Sequence, residues 1–288
     1  MNVNTFSTRF LTAWLVLAGL LFTQCDPEEI DPGGDDSGGD LGGGLGGGGE
    51  TPKTAAELAD EFVRDDANTL VYYPFSGNAD NAMAAEYHGT VTGATLSADR
   101  FNNAEAAYAF DGSSTIDFGA NPIPAGSVSF SFWINVSSTD IVDGQSYRFL
   151  SNREVCNRGD FIDFAFSSSE TNNFRVGMEV RGDGQDLGST PSVGANDLPM
   201  NEWVHVAGVI DQSQGTSTMY FNGVEQASTT WDNTKVRPTN PDGHLGIATS
   251  PCVGSVNGVQ AFVGMLDDIS VFDRVLTADE VAVLAEIE

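Results

Sequence analysis

Asp267 and Asp268, side by side in VGMLDDISVFDR (Val263 to Arg274), are the carboxylates whose surroundings most demand a chemical explanation. Read as a strand with side chains alternating between faces, the segment puts Val263, Met265, Asp267, Ile269 and Val271 in one row. Gly264, Leu266, Asp268 and Ser270 form the other. The first row is the apolar one, so it is expected to face a core, with Asp267 in its middle. A carboxylate in such a row is costly unless something positive meets it, so Asp267 requires a metal cation or an arginine.

The other reactive residues are dispersed. Cys156 and Cys252 sit in polar, turn-rich segments and, apart from Cys25, make an even pair. In an exported chain such a pair is expected to form a disulfide, two free thiols being the alternative. Neither has a His or Cys beside it at zinc-ligand spacing. His88, His205 and His244 are isolated and read as structural. There is no Gly-x-Ser-x-Gly, no His-Glu-x-x-His and no glycine loop between a strand and a helix that could cradle phosphate.

The elements that must position these residues begin after an export segment. Residues 1–24 read as a signal peptide: one basic residue, Arg9, precedes an apolar run of about 12 residues, Leu11 to Phe22, too short to cross a bilayer. Phe22-Thr23-Gln24-Cys25 resembles the lipobox of bacterial lipoproteins, which makes Cys25 the expected site of lipidation. Phe22 stands where Leu is usual, and Gln24 where a small residue is usual. Residues 25–53, acidic and then nearly all glycine, have little to bury and read as a flexible tether with a reach on the order of 25 to 30 Å. The acids after Cys25 resemble the surface-export signal of Bacteroidota lipoproteins. The expected location is the outer membrane, with the folded unit displayed at the cell surface through the lipid anchor.

A short helical lead-in occupies 54–69, opened by the capping box Thr54-Ala55-Ala56-Glu57. From Leu70 the period changes to two. SVSFSFWINV puts Val128, Phe130, Phe132, Ile134 and Val136 on one face, FRVGMEV does the same with Phe174, Val176, Met178 and Val180, and WVHVAGVI is apolar on both faces apart from His205, as a central strand would be. Asn222-Gly223 predicts a two-residue hairpin turn. A second capping box, Thr277-Ala278-Asp279-Glu280, opens a closing helix with Val281, Leu284 and Ile287 on one side. The expected fold is all-β, a jelly-roll sandwich of two antiparallel sheets over 70–288, with one short helix before it and one at its end.

Several segments together carry a family resemblance: Tyr73-Pro74-Phe75, His88-Gly89, Phe110-Asp111-Gly112, Trp203-Val204-His205-Val206, Asn222-Gly223, and Asp267-Asp268 before a terminal Leu-Thr-x-x-Glu. In this order they resemble a laminin G-like jelly roll of the concanavalin A-like lectin/glucanase superfamily. The resemblance implies a non-catalytic binding module with a glycan or surface polymer, or a protein, as partner. It also implies calcium at the sandwich rim, where Asp267 would be joined by Asn81 and Asp80 of the SGNADNAMAAEYHG loop. Asn81 stands where relatives have Asp, which removes one charge; an ion pair with an arginine such as Arg100 is the alternative at Asp267. The glucanases of the superfamily carry Glu-x-Asp-x-x-Glu, which this chain lacks, so a glycanase is the remote alternative. Adjacent strand residues point to opposite faces, so Asp267 and Asp268 are not expected to replace it. Sugar sites on similar modules combine an aromatic face with Asp and Asn on loops, which singles out Trp231, Asp232 and Asn233 of TTWDNT. A packed loop anchor is the other role open to Trp231.

Charge excludes one class of partner. With 12 Lys+Arg against 41 Asp+Glu the chain carries −29, and the clustered bases that grip phosphate backbones are missing, so nucleic acid is not a partner.

Overall fold

The computed structural model describes residues 52–156, 159–169, 173–182, 191–235 and 240–286. Cys25 and the segments read as signal and tether up to residue 51 lie outside the described residues, as does Ile287. Strands are numbered in chain order. One sheet runs β13 (Val224–Thr230), β12 (Thr216–Phe221), β11 (Trp203–Asp211), β6 (Val128–Asn135), β16 (Val263–Phe272), β4 (Ala107–Asp111), β3 (Thr95–Ser97), with β1 (Thr69–Tyr73) also paired to β16. The second runs β10 (Val193–Ala195), β9 (Asn173–Arg181), β8 (Phe161–Ser169), β7 (Ser146–Ser151), β14 (His244–Ile247), β5 (Thr115–Ala120), β2 (Thr90–Thr92). Pairing between these strands is antiparallel, except that β15 (Val259–Ala261) lies parallel to β7. The jelly-roll expectation holds.

The apolar rows read from alternation are the inner faces. Phe130, Phe132 and Ile134 of β6 meet Phe149 of β7 and Phe164 of β8 across the sandwich, with Phe132 edge-on to Phe164 at 5.4 Å and to Phe149 at 5.3 Å between ring centroids. Edge-to-face contact suits the ring quadrupoles and fixes the spacing of the sheets beyond what area burial alone would do. β11 is buried along its length, and Gly208 within it lets the core approach closely: a Cβ there would sit 3.1 Å from the Phe164 ring. Asn222 and Gly223 both have positive φ, at 45° and 74°, as the hairpin between β12 and β13 demands.

Both capping boxes form. Thr54 opens α1 (Ala55–Asp65) and Thr277 opens α2 (Ala278–Leu284), each hydroxyl accepting from the backbone N–H three residues on. The helices touch each other and lie on the outer face of the first sheet, where Val63, Val281 and Leu284 cover Tyr72, Phe272, Ala207 and Val209. Among the described residues no helix covers the outer face of the second sheet. Cys156 and Cys252 form the expected disulfide, joining segments that follow β7 and β14 across 96 residues of sequence. Closing a loop of that length is worth about 4 to 5 kcal/mol in the chain-entropy account.

β16 departs from simple alternation. Its pairing with β6 shifts between Asp267 and Ser270, and Asp268 takes φ 47°. This bulge changes the phase of the strand, as an extra residue in one partner does. Leu266, Ile269 and Val271 face the core, while Asp267 pairs with Trp133 on the outer face. The row predicted with Asp267 among core residues is therefore split, and the carboxylate is buried outside the sandwich rather than within it.

Candidate functional site

Each sheet carries a cluster of charges on its outer face. On the first sheet the centre is Arg100. Its Nη1 donates to Asp267 Oδ2 at 3.0 Å, its Nη2 lies 2.9 Å from Asp268 Oδ2, and its Nε donates to Glu286 just beyond α2. The guanidinium lies over the Trp133 ring at 4.6 Å and over Phe101 at 4.5 Å. Asp267 is 2% exposed, so the arginine alternative describes its surroundings. The bulge also brings Asp268 to the same arginine, against the expectation that the two neighbours point apart; Asp268 Oδ1 further accepts from Tyr72 Oη at 2.9 Å. Three carboxylates face one guanidinium here. Burial, and then the neighbouring Asp268, push the Asp267 carboxyl up to about 9 against the pull of Arg100, and Asp268 is raised as well. His205, fully buried beneath Trp133, bonds Ser131 Oγ through Nε2 at 2.8 Å; burial and then Arg100 lower its imidazole to about 3, so it is neutral.

The remaining residues singled out from sequence have other partners. Asn81 Oδ1 accepts from the backbone N–H groups of Tyr72 and Met83, and its amide donates to Glu86 O, bracing the loop. Asp80 is exposed beside His88 Nδ1 at 3.6 Å. No hydrogen bond or ion pair among the described residues joins Asn81 or Asp80 to Asp267, and no group of three or more His, Cys, Asp or Glu is placed there to hold a metal ion. Trp231 is half-buried against the core with Nε1 donating to Ser217 Oγ at 3.2 Å, the geometry of a loop anchor. Asp232 Oδ1 accepts from Thr234, and Asn233 Nδ2 donates to Ser213 O, so both side chains shape their own turn.

The second sheet's outer face holds a groove of about 490 Å³ that crosses β7, β8, β9 and β10 and ends against β13 of the other sheet. Beneath its end, Asp163 is fully buried between Arg153 Nε at 2.8 Å and Arg148 Nη1 at 3.3 Å. Burial raises the Asp163 carboxyl to about 6 against these two arginines. Glu179 takes Arg148 at 3.1 Å, Arg153 at 3.0 Å and Arg181 at 3.5 Å, and Arg153 is stacked on Phe161 at 3.4 Å. These pairs stiffen the sheet under the groove.

Arg175 lies along the groove floor. Gly177 and Gly194 make room for it: a Cβ on Gly194 would fall 2.0 Å from its Nη2, and one on Gly177 3.1 Å from its Nη1. Ser146, Ser167, Glu179, Ser192 and Thr229 supply polar groups around it. Such a surface, with hydroxyls, a carboxylate and a guanidinium along an extended trough, is suited to hydrogen-bonding a hydroxyl-rich chain. Sequence reading missed it. The signal was the complement of the apolar row in FRVGMEVR: Arg175, Gly177, Glu179 and Arg181 alternate on the other face.

Residues 110–282 match the model of the Concanavalin A-like lectin/glucanases superfamily. The chain belongs to that superfamily. Among solved structures, domain 4 of AbnA, a GH43 extracellular arabinanase from Geobacillus stearothermophilus, in complex with arabinotriose, is similar with a TM-score of 0.55 and 18% identity, over 77% of this chain and all of that one. The botulinum neurotoxin serotype D binding domain gives 0.53 and 14% over 76% of this chain and 50% of that one. The binding domain of botulinum neurotoxin DC in complex with SialylT gives 0.53 and 13% over 77% and 52%. The chain thus spans about half the length of those neurotoxin domains. At such identities the likeness is one of fold. No curated protein matches the chain.

The Arg100 cluster yields a pH dependence. The folded Asp267–Asp268 pair keeps one shared proton up to about pH 9 while its other carboxylate stays paired with Arg100, whereas the unfolded chain releases that proton near the ordinary value of 3.8, so the folded state binds more protons between those limits. Stability therefore falls as pH rises through that window, by at most about 1.4 kcal/mol per pH unit from this group. Urea unfolding between pH 5 and 9 is expected to show the decline, and Asp267→Asn to flatten it; an unchanged slope in the variant would contradict the assignment.

Proposed function

We propose that this superfamily member is a non-catalytic glycan-binding module displayed at the cell surface, held there by lipid on Cys25 and the tether of residues 25–53. The observation that carries the binding reading is the polar groove on the second sheet, a long trough built on rigid strands and floored by glycines. The superfamily and the arabinanase domain seen with arabinotriose support it. Against catalysis stands the state of the carboxylates: Asp267 is closed to solvent, and both it and Asp268 are clamped on Arg100, so neither is free to flank a glycosidic bond. Arg100 also supplies the cation that Asp267 needs, so this reading calls on no calcium.

Affinity electrophoresis of the full chain through gels containing plant and microbial polysaccharides tests the binding. Gly194→Val should fill the trough and lift Arg175, lowering affinity for any retained polymer at least tenfold while the melting temperature changes little, since valine suits a strand. A variant that binds as well as the parent would place the site elsewhere. For the anchor, Cys25→Ala is expected to abolish labelling by a clickable fatty acid in a bacterial host and to release the protein from the membrane fraction. Persistent labelling would refute lipidation at that residue.

A further inference from the structure

The distribution of positive charge singles out Arg175. Among the described residues Arg64, Arg100, Arg148, Arg153, Arg181 and Arg274 are each ion-paired with carboxylates. Arg175 is the described arginine with no carboxylate partner, and it is exposed in the floor of the groove. In and under that surface, among the described residues, Arg148, Arg153 and Arg181 pair with two carboxylates, Asp163 and Glu179, and Arg175 adds a fourth guanidinium with no acid of its own. The groove is therefore a positive spot on a chain of net charge −29.

We propose that the groove selects acidic glycans, with Arg175 receiving the carboxylate or sulfate of a sugar ring; this rests on the glycan-binding reading above. A guanidinium presents paired donors that match a carboxylate or sulfate edge, and an arginine without an internal acid keeps those donors for a ligand. Gly177 and Gly194 let it lie against the sheet instead of standing in solvent, so a sugar can sit over it while Ser146, Ser167 and Thr229 meet the ring hydroxyls. The acidity of the rest of the chain does not cancel this. At physiological ionic strength charges are screened beyond about 8 Å, so a bound acid group responds to the arginines beside it more than to distant carboxylates.

The test uses the full chain at 0.15 M salt with four polymers: polygalacturonate for carboxylate, dextran sulfate for sulfate, and neutral arabinan and dextran as controls. The expected result is retention by one or both acidic polymers, weakening as salt rises. Arg175→Gln should lower that affinity at least tenfold and any affinity for neutral polymers by a smaller factor, with the melting temperature unchanged because the side chain is exposed. Which acidic polymer is retained identifies the group recognised. Equal affinity for acidic and neutral polymers, or an Arg175→Gln variant that binds acidic polymer like the parent, overturns the selectivity while leaving glycan binding intact. No retention by any of the four overturns both.

Discussion

A carboxylate withdrawn from water on a sheet face must be met by a cation, and this chain has few: 12 Lys+Arg for 41 Asp+Glu. That scarcity organises the molecule. Arg100 holds Asp267, Asp268 and Glu286 together, tying the end of α2 to the middle strands of the first sheet. Arg274 joins Asp66, just past α1, to Glu280 of α2. Arg148 and Arg153 hold Asp163 under the second sheet. Where cations are this few, an arginine left without a carboxylate stands out, and Arg175 is that residue among those described.

The two outer faces have different fates for a physical reason. The first sheet presents apolar residues outward, Ala207, Val209, Tyr220 and Phe272, and these are buried by α1 and α2, leaving that side with a structural role. The second sheet presents serines, glycines and charges outward, in a groove left uncovered by the described residues. A ligand can reach rigid strands there without moving a loop, and a site on strands keeps its polar groups in fixed positions.

Much of the fold was legible because it rests on local rules. Both capping boxes, the Asn222-Gly223 turn, the apolar rows of β6 and β9 and the central character of β11 all follow from residue type and spacing. The placement of Asp267 was only half legible. Charge logic required a cation and admitted Arg100, but the alternation rule assumed an unbroken strand, and no glycine or proline adjoins Asp268 to announce the bulge there. The groove was not legible because period two marks only the apolar half of each strand as core; the half facing away carries polar chemistry that no local rule assigns to a site. Trp231 drew attention as an exposed-loop aromatic, yet its indole N–H is engaged by Ser217 and its ring by the core.

The central claim is that the outer face of the second sheet is the binding surface, and a residue-resolved titration tests it most directly. Backbone amide shifts of the isotope-labelled chain, followed as a galacturonate trisaccharide is added, are expected to move at Ala165, Ser167, Gly177 and Gly194. Shifts confined to Trp231, Asp232 and Asn233, or to the surroundings of Arg100, would contradict the account.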